Sequence, residues 1–238
     1  MKLKSLTITA ALLLFVNVNV NAQRFMTPLM GFSKDKTSYL YKSDGKEIKC
    51  NLKGLKWKRG LIEEIKIIDL SGKKVKIAPE DITHMYLPPT GLAKLTSSMS
   101  FLTDASKWDN EELRQDIISK GYIYHESLKA KIKKKTGTYM LQLLNPSFSS
   151  MLKVYYDPFA KETMSASIGP VKVAGGLAKS YYIKKTADAA AYLVEKKLYK
   201  TEFSIIFKDC PALVDKYKEA VKWSDFEAHV YEYGQLCK

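Results

Sequence analysis

The stretch LIEEIKIIDLSGKKVKIA, from Leu61 to Ala78, constrains the fold more than any other part of the chain. Ile65, Ile67, Val75 and Ile77 alternate with Lys66, Lys74 and Lys76, and Ser71-Gly72 stands between the two runs. A period of two around a turn dipeptide predicts an antiparallel hairpin with one apolar face and one lysine face. The preceding SYLYKSDGKEIKCNL repeats the device around Ser43-Asp44-Gly45. PEDI then opens a short turn with Pro79, and THMYLP returns to strand. Four or five hairpin-joined strands over residues 37–87 predict a small antiparallel β unit, either an SH3-like barrel or a twisted sheet.

LPPTG breaks that pattern, and residues 88–121 read as one or two linking helices. Leu113, Ile117 and Ile118 share a helical face, and Gly121 suits the position just past a helix end. Residues 122–238 read as a second antiparallel β region with helices at its end. YIYHESLKAKIKKKTGTYMLQLLNP predicts two long strands around a lysine-rich tip at Lys133–Gly137, and MLKVYYDPF a further strand ended by Asp157-Pro158. Two short strands are expected around Gly175-Gly176, AAYLVEK is expected as the last strand, and KLYKTEFSIIF as a helix. The fold class is therefore α+β.

The closing segment places two of the three cysteines at its two ends. Pro211 suits a first helical turn, and Leu213, Val214, Tyr217 and Val221 follow at helical spacing. Ser224 and Glu227 have the spacing of a capping box opening a second helix. Phe226, Val230, Tyr233 and Cys237 fall on one face of that helix. A short joint folds the two helices back on each other and brings Cys210 beside Cys237, so an oxidising compartment would join them in a disulfide. Cys50, in a strand, is expected to remain a buried free thiol.

The N-terminus supplies that compartment. Lys2 and Lys4 precede the apolar run SLTITAALLLFV, which is shorter than the roughly 20 residues a bilayer core requires. A cleaved secretory signal over residues 1–22 is expected, with the cut between Ala22 and Gln23. The mature chain has no second long apolar run, so no transmembrane segment is expected in it, and its location would be periplasmic or extracellular. The formal net charge is +14. Such a balance favours anionic partners, but only three of the 39 basic residues are arginine. Base-edge readout and bidentate phosphate grips favour arginine. The lysines therefore read as a solvated coat drawn loosely to anionic envelope components, and specific nucleic-acid recognition is not expected.

Motifs for chemistry are sparse. His84, His125 and His229 are isolated in a strand, a strand and a helix, without zinc-ligand spacing. No phosphate-cradling glycine motif or nucleophile elbow occurs, so no cofactor, metal or catalytic residue is nominated. Asp69, Glu80, Asp81 and Asp157 stand where turns favour acidic residues. The tyrosines of YYDPF and SYYI could form a stacking surface for sugars, although tyrosine is also an ordinary strand residue.

The segments YLYKSDGKEIKCNL, GKKVKIAPEDITHMYLP and FKDCPALVDKY…DFEAHVYEYGQLC together resemble a set of uncharacterised exported proteins of Bacteroidetes-type bacteria. The resemblance implies export and a shared architecture, and carries no known activity. The expectation is a non-catalytic binding or envelope-associated module, whose partner would be an anionic envelope component or another exported protein. The alternative is a hydrolase of envelope or extracellular polymers, with a site of dispersed Asp, Glu and Tyr.

Overall fold

A computed structural model describes residues 25–91, 110, 112–161, 165–168, 171–175 and 178–237. Its larger sheet has seven antiparallel strands: β1 (Thr37–Lys42), β2 (Glu47–Lys58), β3 (Leu61–Asp69), β4 (Lys74–Ile77), β5 (Ile82–Leu87), β6 (Ile123–Ile132) and β7 (Lys135–Gln142). Their order is β4-β3-β2-β1-β5-β6-β7. The turns follow from local chemistry. Gly45 and Gly72 take φ values of 80° and 83°, and Asp69 Oδ1 accepts hydrogen bonds from the Ser71 and Lys73 amides. A further turn, Arg59-Gly60, has positive φ at both residues and separates β2 from β3. A Cβ at Gly60 would lie 2.8 Å from Pro158 Cβ, so the turn rests directly on that proline. A 3₁₀ turn over Pro79–Asp81 leads into β5, and it and β3 lie against β7, so the sheet curls.

Residues 122–142 were expected to open a second β region. They instead extend the first sheet, because β6 pairs with the free edge of β5 over His84–Glu126, Met85–His125, Tyr86–Tyr124 and Leu87–Ile123. The period-two pattern identifies a strand but carries no record of which free edge it will join. Within the expected helical link, α1 is a single turn, Gln115–Ile118, with Ile117 and Ile118 buried. Gly121 follows it at φ 83°. Residues 92–109 and 111 of that link lie outside the described residues.

The second region contains a three-stranded antiparallel sheet, β12-β11-β8, formed by β8 (Leu152–Tyr156), β11 (Ser180–Lys185) and β12 (Tyr192–Glu195). A separate pair, β9 (Ser165–Ile168) and β10 (Val171–Gly175), precedes β11, so this stretch holds three strands where two were expected. Three helices complete the chain: α2 (Tyr199–Ile206), α3 (Pro211–Tyr217) and α4 (Phe226–Leu236). Pro211 occupies the first turn of α3, as its fixed φ allows. The Ser224–Glu227 capping box does not form. A 3₁₀ turn over Trp223–Asp225 precedes α4, and Ser224 Oγ donates to Asp225 Oδ1 instead of capping the helix. Cys210 and Cys237 are joined in a disulfide with Cα atoms 5.6 Å apart, and Cys50 is free and buried.

The sheet core contains Leu40, Leu52, Ile65, Ile67, Met85 and Ile123 among others. The helical core is richer in rings: Tyr181, Tyr199, Phe203, Phe207, Trp223 and Phe226. The N-terminal strap reaches both. Met26, Leu29 and Phe32 are buried in the sheet core, whereas the Phe25 ring meets Phe148, Tyr181 and Phe226. Asn145, fully buried where β7 hands over to β8, donates to the Phe148 and Leu152 carbonyls and accepts from the Val154 amide. Every polar atom of that side chain is thereby satisfied at a joint where an orphan would cost about 1–3 kcal/mol.

Candidate functional site

Strand register builds a row of polar and aromatic side chains across four strands. Glu47 on β2 faces Tyr41 on β1, Tyr41 faces His84 on β5, and His84 faces Glu126 on β6. Alternation puts all four on the same face, opposite Leu40, Met85 and His125. A parallel row, Tyr39–Tyr86–Tyr124, lies one pleat away. The Tyr41 and His84 rings stack with centroids 4.3 Å apart and planes 13° apart. Tyr86 and Tyr124 close in on His84 at 5.8 and 5.7 Å.

The charges around this face are held in pairs. Arg114 grips Asp116 through Nε and Nη2 at 2.8 and 2.7 Å, while its Nη1 donates to the Tyr41 hydroxyl at 3.0 Å. Its backbone amide donates to the Tyr86 hydroxyl at 3.0 Å, which pins the residue to both rows. At the other end, Glu126 Oε2 accepts from the Tyr155 hydroxyl at 2.7 Å and from Lys153 Nζ at 3.3 Å. Lys153 also reaches Glu112 at 3.5 Å. Arg114, Asp116, Glu126 and Lys153 are therefore fixed before any ligand arrives, which lowers the ordering cost of a contact, whereas Glu47 has only longer ion pairs, 3.9 Å to Arg114 and 4.0 Å to Lys49.

The histidine is neutral and its tautomer can be read from its neighbour. Burial lowers its pKa from the ordinary value, with Lys153 adding to the effect and Glu126 opposing it. Thr83 Oγ1 donates its one proton to the Tyr41 carbonyl, so it accepts from His84 Nδ1, 3.1 Å away. Nε2 is then the acceptor side of the ring. Burial pushes the Tyr86 phenol up to about 12 and raises Tyr124 and Tyr155 further, so these hydroxyls stay protonated.

Apart from Tyr155, one of the YYDPF tyrosines, none of these residues was singled out in the sequence as a functional group. His84 did stand out as an isolated strand histidine, but its partners become visible only once β1, β5 and β6 are in register. The tyrosines of YYDPF and SYYI serve as ordinary strand residues, with Tyr155, Tyr181 and Tyr182 buried in the two cores and Tyr156 partly buried. Asp69 and Asp157 act in turns: Asp157 accepts from the Phe159 amide and from Ser180 Oγ. Glu80 and Asp81 lie in the 3₁₀ turn. Ala22 and Gln23 lie outside the described residues. A groove of about 350 Å³ between β3, the 3₁₀ turn and β7 is lined by Ile62, Glu63, Glu80, Tyr139 and Met140, among others. Its Glu63 is already paired with Lys56 and Lys58 at 2.7 and 2.9 Å.

Among the described residues, no group of three or more His, Cys, Asp or Glu side chains could hold a metal ion. No described helix is long and apolar enough to cross a membrane. Comparison of the chain with protein-family models, with curated proteins and with solved structures gives no match.

Proposed function

We propose that this is an exported, non-catalytic binding module whose contact surface is the Glu47–Tyr41–His84–Glu126 row, and that it belongs with the exported proteins it resembles. The observation that carries the reading is the prior pairing of the charges on that face. Glu126 is taken up by Tyr155 and Lys153, and Arg114 by Asp116 and Tyr41. A general acid or base works through a proton it can exchange, whereas these groups are committed as fixed struts beside stacked rings. The ring faces and the His84 Nε2 acceptor suit a polar ligand with a flat apolar side. The disulfide is compatible with export, since such bonds persist in oxidising compartments.

The lysine coat supplies a second, weaker interaction. It draws the protein to anionic envelope polymers at long range, while the aromatic row makes the short-range contact. The two differ in salt response, because at 0.1 M salt screening removes most of the attraction between exposed charges more than about 10 Å apart. The test is titration of the full chain with defined envelope polysaccharides at low and at physiological salt, with Tyr41→Ala and His84→Ala alongside. The reading expects a component that survives salt and is lost in both variants. Binding that disappears with salt and is identical in all three proteins would sink it and leave only the coat.

A further inference from the structure

His229 lies at the centre of the helical core and touches all three helices. It is fully buried on α4. Its Nδ1 is 2.7 Å from the Tyr199 hydroxyl at the start of α2. The Tyr217 ring, at the end of α3, sits 4.3 Å away and tilted by 62°, and the Phe203 ring of α2 lies at 5.0 Å. Nε2 has no hydrogen-bond partner among the described residues. Two tautomers are conceivable, and the surroundings choose between them. With the proton on Nε2, the N–H points among aromatic rings, whose faces attract a positive hydrogen, and Nδ1 accepts the Tyr199 proton. With the proton on Nδ1, a lone pair would be buried against the same ring faces, and the Tyr199 O–H would be left without an acceptor. The first arrangement satisfies both residues.

We propose that His229 is a proton-operated latch, holding α2 onto the α3–α4 pair when neutral and releasing it when protonated. A proton arriving at Nδ1 finds the site already filled by the Tyr199 O–H. Accepting it forces the phenol, only 1% exposed, to turn its proton into an apolar wall, and places a cation in a core of rings. The charged groups that face the imidazole are Lys216 on α3, Asp225 in the 3₁₀ turn and Glu232 on α4. Burial lowers its pKa to about 4, Asp225 and Glu232 oppose that shift, and Lys216 adds to it. Glu232 is itself engaged, accepting from Lys216 and from the Tyr217 hydroxyl at 2.7 Å each. It therefore braces the Tyr217 ring against the histidine instead of supplying a free counter-charge. Release leaves α3 and α4 together, because Cys210 and Cys237 join the start of one to the end of the other. The motion is thus a hinged departure of α2 within a tethered unit.

Trp223 reports on the latch, since its ring meets Tyr199 at 5.3 Å and its indole N–H donates to the Ala178 carbonyl at 2.9 Å. The experiment follows the His229 ring nitrogens and the Trp223 indole resonance by NMR in the full chain from pH 8 to pH 3.5. The latch requires the Nε2–H tautomer at neutral pH. It also requires one reversible step in the Trp223 signal, coincident with His229 protonation and below the ordinary histidine range. His229→Gln, which cannot titrate, loses the step, and His125→Gln in the other core keeps it. Tyr199→Phe removes the blocking proton and moves the step to higher pH. An Nδ1–H tautomer, protonation without a Trp223 response, or a step retained in His229→Gln overturns the proposal. Should His229→Gln fail to fold, an unshifted step in Tyr199→Phe overturns it equally.

Discussion

The two halves of this molecule solve the same problem, burying apolar surface, with different materials. The N-terminal half is one extended hydrogen-bonded sheet around a largely aliphatic core, and its cysteine, Cys50, is a free thiol that burial pushes up to about 11. A thiol that is buried and hard to ionise is chemically quiet. The C-terminal half relies on helices of only 8, 7 and 11 residues. Helices this short are marginal by themselves in water. They are held by ring-on-ring packing, such as Trp223 on Phe226 with planes 5° apart, and by the disulfide. The cross-link sits where local structure contributes least, and the sheet, whose strands brace one another, has none among its described residues.

The strongest test of that contrast removes a ring from one side and an aliphatic group from the other. Phe226→Ala should cost about 3–5 kcal/mol and Leu40→Ala about 2–5 kcal/mol. Amide exchange locates each loss. The expected pattern is faster exchange confined to residues 199–237 for the first and to β1–β7 for the second. Equal acceleration everywhere would show one cooperative unit in place of two.

Next in size is the disulfide. Cys210 and Cys237 are 27 positions apart, and closing such a loop stabilises the folded state by roughly 3–4 kcal/mol in the chain-entropy description. Replacing both with alanine should lower the melting temperature by roughly 10 °C, with the loss again concentrated in the helices. A change no larger than that of Cys50→Ala would mean that ring packing alone secures the C-terminal half.

The smallest expected effect concerns acid. Burial depresses His125 in the sheet core to about 3 and His229 in the helical core to about 4. Both stay neutral in the folded chain where the unfolded chain has already taken up a proton. Their stability contribution is therefore complete above the ordinary histidine pKa of about 6.5 and is lost as pH falls through it, continuing down to about 4 and 3. Each histidine loses no more than about 1.4 kcal/mol per pH unit across that window, the smallest step of the three tests. Asp209 and Glu232 shift downwards, held by Lys185 with Tyr233 and by Lys216 with Tyr217 against opposing burial. Their contributions are complete above the ordinary carboxylate range and begin to fall only at about pH 5, so decline between pH 6.5 and about 5 belongs to the histidines. Urea midpoints across that window should flatten partly in His125→Gln and partly in His229→Gln. A decline that neither variant changes would place its origin elsewhere.

The sequence by itself was enough for the α+β class, the hairpin turns at Gly45 and Gly72, the Pro211 helix start and the Cys210–Cys237 pairing. Each of these rests on interactions within a few residues or within one short helical segment, where periodicity and backbone chemistry speak directly. Tertiary structure alone decided that β6 joins β5, that Ser224 yields to a 3₁₀ turn, and that Tyr41, His84 and Glu126 form one row. Those outcomes depend on which free strand edge meets which, and on how a ring-filled core orients the chain entering it. A strand's pattern encodes its two faces but not its neighbour, so side chains brought together through register leave no local trace in the chain.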